Sequence, residues 1–158
     1  MTTSPAADVA RQFYQAFSEH DSEGMARLYH PHGTFSDPVF GTLNAAEVGA
    51  MWRMLLGRAS SIVVTSQLIS ATEDSAVTRW EADYPFSQTG RQVHNVVTAT
   101  MQMQGGLILR HVDSFDFWAW SRQALGLPGT LLGWTPMLHR KVSNSALAGL
   151  QSSIAAQK

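Results

Sequence analysis

Apolar residues recur at two different periods along this chain, and the change of period divides it. Between Asp8 and Phe17 the positions Val9, Phe13, Ala16 and Phe17 fall at helical spacing, with Tyr14 beside them. One of Thr2, Thr3 and Ser4, followed by Pro5, or else Asp8, is the expected cap, and residues 1–5 are expected to be disordered. His20-Asp21-Ser22 breaks this helix. A second, short helix is expected from about Ser22 to Tyr29, capped by Asp21 or Ser22, with Met25 and Leu28 inward. The stretch 29–33 then reads as a turn into a strand around Phe35. Asn44 with Glu47 makes a capping box for a third helix. Val48, Met51, Trp52, Leu55 and Leu56 form its broad apolar face, and Gly57 ends it.

Past residue 60 the period falls to two. Strands are expected over 61–70, 75–86, 91–104 and 107–118, with turns at Glu73-Asp74, at 87–90 and at Gln104-Gly105-Gly106. Long strands joined by tight turns make an antiparallel meander, curved enough to enclose a pocket against the helices. The fold class is therefore α+β, and the one early strand must pair at a sheet edge. Residues 118–125 read as a short helix, 127–138 as an apolar run broken by glycine and proline. Val142, Ala146, Leu147 and Leu150 mark a last amphipathic helix. Residues 127–158 thus extend a single domain of 1–158, and an apolar tail of this kind must cover the mouth of the sheet or a second subunit.

Composition narrows the functional classes. At 158 residues the chain can bury a core, and only 15% of its residues are charged, a sparsely charged surface that suits a homodimer. A formal charge of −1 supplies no long-range attraction for nucleic acid or an anionic membrane. The absence of cysteine removes thiol chemistry and suits a reducing compartment. The N-terminus lacks the basic start and apolar run of a secretory signal, and no stretch is apolar enough to span a bilayer, so a cytoplasmic location is expected.

Two polar anomalies interrupt the apolar pattern. Phe35 and Asp37 share a strand face, and Pro38 ends the pairing just beyond them. Asp37 is thus the cap of the turn at Pro38 or of the helix beyond it, a carboxylate in a pocket, or a surface group. In the last strand Leu107, Leu109, His111, Asp113, Phe115 and Phe117 share one face by parity, so His111 and Asp113 are either a self-satisfied structural pair or an acid–base pair. In the preceding hairpin Val77, Arg79, Glu81 and Asp83 face one way, and Trp80, Ala82 and Tyr84 the other. His94 and Asn95 are adjacent, so only one of them reaches the interior. Six histidines raise the question of a metal, yet His30-x-His32 and His111-x-Asp113 show no convergence and no HExxH is present. No metal and no cofactor is expected. No glycine-rich nucleotide loop and no G-x-S-x-G elbow occurs.

These residues carry a resemblance. Two helices, then Phe35-Ser-Asp37-Pro-Val, a third helix and four strands closing on His111-Val-Asp113-Ser-Phe-Asp116, resemble the nuclear transport factor 2-like superfamily. Its ketosteroid isomerase-like and SnoaL-like polyketide cyclase-like branches are the nearest in pattern, over residues 8 to about 125. The resemblance implies a cone-shaped, curved antiparallel or mixed sheet packed on N-terminal helices (a cystatin-like α+β roll), a deep apolar pocket, and a homodimer through the sheet. In a ketosteroid isomerase the aspartate of the matching Asp-Pro-Val moves the proton, and Asp37 falls on it. The oxyanion tyrosine of that branch matches near Phe13, with Tyr14 next to it, while its second acid meets Ala99. A limonene epoxide hydrolase-like branch uses Arg-x-Asp on one strand and an aspartate on the last. Arg79-x-Glu81 sits near the first position and Asp113 matches the second.

The expected catalytic group is Asp37, Asp113, His111, Arg79 and Glu81. Tyr14, Phe35, Trp52, Trp80, His94 and Asn95 are expected to bind the ligand. The expected function is a pocket for a small hydrophobic molecule, serving a cofactor-free isomerase, cyclase or hydrolase. The alternative is a non-catalytic binding or dimeric structural protein. Neither nucleic acid nor membrane is expected as a partner.

Overall fold

The computed structural model describes residues 4–59 and 61–157. Helix α1 (Pro5–Ser18) starts where the sequence places a helix-compatible proline, with the Ser4 hydroxyl accepting from the Ala7 amide at 3.0 Å. Of the segment expected to be disordered, Ser4 and Pro5 are therefore ordered by the cap, while residues 1–3 lie outside the described residues. Asp21 caps the short α2 (Ser22–Ala26). Strand β1 (Tyr29–Asp37) takes in the stretch expected to be a turn, because Tyr29 pairs in parallel with Ile108 and the chain is bound before its irregular middle. β2 (Gly41–Asn44), which the sequence pattern does not reveal, closes a tight hairpin with β1.

α3 (Ala45–Arg58) opens on the complete Asn44–Glu47 capping box and runs one residue past Gly57. Asn44→Ala should cost about 1 kcal/mol in urea unfolding, because the Glu47 amide loses its side-chain acceptor while only the backbone half of the box, residue 44 N–H to Glu47, remains.

β3 (Val63–Ala71), β4 (Ser75–Pro85), β5 (Gln92–Gln104) and β6 (Leu107–Ser114) form the long meander. The sheet order is β2-β1-β6-β5-β4-β3, with β1 and β6 parallel and every other pair antiparallel. The sheet is mixed, and it is β2 that takes the edge, with β1 one place in. Phe13 and Phe17 of α1 and Met51 and Trp52 of α3 pack on the concave side to make the core.

The last strand departs from its expected parity. Gln102 pairs with Arg110 but Met103 pairs with Ile108, so Leu109 is an extra residue on β6. A bulge of this kind shifts every later side chain by one position relative to the strand before it. Ile108, and neither Leu107 nor Leu109, is therefore buried along with His111 and Asp113. The strand also stops at Ser114. Asp116 then caps α4 (Phe117–Leu125), which takes Phe117 out of the row of strand residues.

α5 (Leu127–Leu132) and α6 (Pro136–Gln157) complete the chain. Gly129 lets α5 press on α4, since a Cβ there would lie 1.9 Å from the Ser121 carbonyl oxygen. α6 reaches back across the molecule: His139 donates to the Pro38 carbonyl and stacks on Phe117, and Leu150 is fully buried. No helix among the described residues is long and apolar enough to cross a membrane.

Candidate functional site

The concave face of the sheet, α1, α3 and the start of α6 enclose a cavity of about 520 Å³. Phe17, Phe35, Trp52 and Trp80 supply aromatic wall, while Phe86, Trp120, Leu138 and Val142 stand nearer the C-terminal helices. The apolar wall carries a few polar groups, the usual composition of a small-molecule pocket. Three of them come from different strands: Asp37 from the end of β1, Asn95 from β5 and Asp113 from β6.

Asp37 combines two of the roles that its sequence context allows. Its Oδ1 accepts from the Val39 amide at 2.9 Å and the Phe40 amide at 2.6 Å, holding the turn that Pro38 begins. The same carboxyl also borders the cavity. Burial pushes its pKa from 3.8 to about 6, opposed by the amide bonds and reinforced by the charge of Asp113. A carboxyl poised there is able to carry a proton near neutrality.

Asp113 is 5% exposed and borders the cavity, with His111, 1% exposed, directly behind it. His111 Nε2 lies 2.8 Å from Asp113 Oδ1, and Nδ1 lies 2.8 Å from the Tyr29 hydroxyl. Trp52 Nε1 donates to that same hydroxyl at 3.1 Å. His111, expected in the catalytic group, does not itself border the cavity: both ring nitrogens are engaged, and Phe13 and Phe35 close on the ring edge-on. Burial pushes the Tyr29 phenol well above its ordinary value, against the lowering effect of the Trp52 bond.

Among the other expected site residues, Phe35, Trp52, Trp80 and Asn95 line the cavity. Tyr14 is buried on α1 against Trp80, with ring centroids 6.4 Å apart, but does not line the cavity. Its phenol is pushed well up, first by burial and then by the charge of Asp113. The Tyr14 hydroxyl and Trp80 Nε1 have no hydrogen-bond partner among the described residues.

Three expectations fail on placement. Arg79, Glu81 and His94 point away from the cavity, on the convex face of the sheet, where parity opposes them to Trp80, Ala82 and Val93. There Arg79 pairs with Glu81 at 2.9 Å, and His94 bridges Asp83 at 2.7 Å and Glu81 at 3.1 Å. The Asp83 bond, seconded by Glu81, raises the His94 pKa. No three His, Asp or Glu side chains among the described residues are grouped to hold a metal ion.

Tyr29 is the site-forming residue that the sequence pattern does not reveal. Its position beside His30-Pro31 suggests a turn, and only the long-range pairing with Ile108 turns its ring onto His111.

The sequence profile of the SnoaL-like domain matches residues 10–111. No curated protein sequence matches the chain. Among solved structures, a hypothetical protein with a ketosteroid isomerase-like fold from Catenulispora acidiphila, in complex with trimethylamine, superposes with a TM-score of 0.67. It is 17% identical, over 85% of this chain and 100% of that one. IdmH of Streptomyces antibioticus, described as a candidate polyketide cyclase, gives 0.64 at 20% identity, over 79% and 100% of the two chains. An epoxide hydrolase of M. tuberculosis, of the LEH-like type, gives 0.61 at 16%, over 81% and 96%. At these identities the likeness is one of fold.

Proposed function

The chain belongs to the SnoaL-like domain family, and we propose that its cavity binds a small apolar molecule and moves a proton on it. Asp113 is the base and Asp37 the second proton carrier. One observation carries this reading: two carboxyl groups from different strands border one aromatic cavity, and burial holds one of them at about 6. Asp113 takes a proton from an acidic C–H or O–H of the ligand, and the electron pair moves to a ligand oxygen. Asp37 delivers a proton at another atom of the ligand. Trp80 lines the cavity and its indole N–H has no partner among the described residues, so it is the donor offered to the oxygen that gains charge. Acid–base groups suffice for such an isomerisation or ring closure, so the reading needs no cofactor.

A second reading has its own support. Asp37 Oδ1 is already engaged by two amides and Asp113 Oδ1 by His111, the pattern of groups kept for structure in a pocket that only binds. A panel of enolisable cyclic ketones and small epoxides separates the two. Under the acid–base reading wild type turns over a member of the panel and Asp113→Asn does not. Binding of panel members, seen by quenching of the pocket tryptophans, with no turnover of any, would favour the binding protein.

We further propose a homodimer in a cytoplasmic setting, the convex face of the sheet being its interface. Val63, Ile69 and Val96 stand exposed on the sheet strands, and Leu127, Trp134 and Met137 are exposed on and between the last two helices. Light scattering at micromolar concentration should report twice the mass of one chain; a single-chain mass would remove the assembly from the proposal.

A further inference from the structure

Trp52, Tyr29, His111 and Asp113 form one hydrogen-bonded chain from α3 to the cavity wall, and its chemistry allows a single direction. An indole N–H donates and never accepts, so Trp52 gives its proton to the Tyr29 oxygen. Tyr29 has one proton of its own, and its remaining neighbour in the chain is His111 Nδ1. Nδ1 is then an acceptor, which leaves the imidazole proton on Nε2, facing Asp113 Oδ1. The alternative state is an imidazolium, in which both nitrogens donate. The Tyr29 oxygen would then face two donors, and its own proton would have no acceptor among the described residues, in a buried cluster walled by Phe13 and Phe35.

We infer that Trp52 and Tyr29 are positioning residues that lock His111 as the neutral Nε2–H tautomer, fixing a donor behind Asp113 while the carboxylate faces the cavity. The functional value of this lock rests on the acid–base reading above; the tautomer itself does not. The chain also ends on an indole, which neither takes up nor releases a proton under ordinary conditions. The route behind Asp113 is therefore closed, and a proton taken there leaves only on the cavity side. On the ligand, one bond to hydrogen breaks as Asp113 becomes a carboxylic acid. A new bond to hydrogen forms at another ligand atom as the carboxylate is regenerated, directly or with Asp37 as carrier. This balance is that of an isomerisation or cyclisation and requires no co-reactant.

Long-range ¹H–¹⁵N correlation spectra of labelled protein at pH 7.5 test the lock without any substrate. Wild-type His111 should show a protonated Nε2 and a bare Nδ1. Tyr29→Phe keeps the ring stacked on the imidazole (6.0 Å between centroids, 16° between planes) and removes the hydroxyl alone. It should move the two nitrogen resonances toward each other, the signature of mixed tautomers or an imidazolium. Trp52→Phe frees the Tyr29 hydroxyl to reverse and should do the same; it carries the comparison should Tyr29→Phe fail to fold. A wild-type spectrum of the Nδ1–H form or of imidazolium overturns the inference, as does a folded variant whose His111 signals are unchanged. An inactive wild type with the expected tautomer would instead count against the acid–base reading and leave the lock standing.

Discussion

Replacing Asp113 by asparagine is expected to lower turnover about 10²- to 10⁴-fold while leaving the fold and ligand affinity nearly unchanged. The asparagine carbonyl still accepts from His111 Nε2, so the buried pair remains satisfied. What disappears is the group that receives the ligand proton. A loss of that size corresponds to about 3–5.5 kcal/mol of transition-state stabilisation and should fall on kcat with little change in KM. A variant that keeps its rate would remove Asp113 from the role of base. One that loses rate and binding together would show that the carboxylate shapes the pocket rather than the reaction.

The second large effect concerns stability and depends on pH. Asp37 is ionised in the unfolded chain above 3.8, yet in the folded protein it holds its proton up to about 6, chiefly because of burial. Between those values the native state binds more protons than the unfolded state. Unfolding free energy must therefore fall as pH rises through that window, and level off above it. In the variant Asp37→Asn the replacement amide does not titrate, and its carbonyl oxygen can still accept from the Val39 and Phe40 amides. Asp37→Asn and wild type should thus be close in stability at pH 4, with the variant ahead by up to about 3 kcal/mol at pH 7.5. Urea unfolding at both pH values gives the comparison. A difference that does not vary with pH, or one that favours wild type at pH 7.5, would mean that Asp37 is better solvated than its setting indicates. A gain in stability on removing a buried carboxylate is the usual mark of a group retained for function.

The pair Arg79 and Glu81 shows how a family pattern and local physics can disagree within one sequence. Alternation along β4 already sets both residues opposite Trp80, Ala82 and Tyr84. Three large or apolar side chains on one face make that face the buried one. The resemblance to the epoxide hydrolase-like branch points the other way, and parity prevails because a strand cannot turn one side chain inward without turning its neighbours. His94 and Asn95 follow the same logic, with Asn95 inward between Val93 and Val97.

Whatever local periodicity and capping control is legible along the chain. The first and third helices with their caps, the four strands of the meander and its turns, and the inward aromatic rows all follow from interactions within a few residues. The burial of His111 and Asp113 is legible too, though for a reason that needs correcting. Parity counted from Leu107 reaches them only by passing over the bulge at Leu109, and a bulge is set by how β5 and β1 pair with β6. Long-range packing settles the rest. Tyr29 becomes part of the site through a strand pairing to residues about eighty positions away, and that pairing brings its hydroxyl onto His111. Asp37 acquires its raised pKa from elements that close over it, among them α6, whose His139 is bound to the Pro38 carbonyl. Burial and charge at a point depend on everything packed around it, and no window along the chain contains that sum.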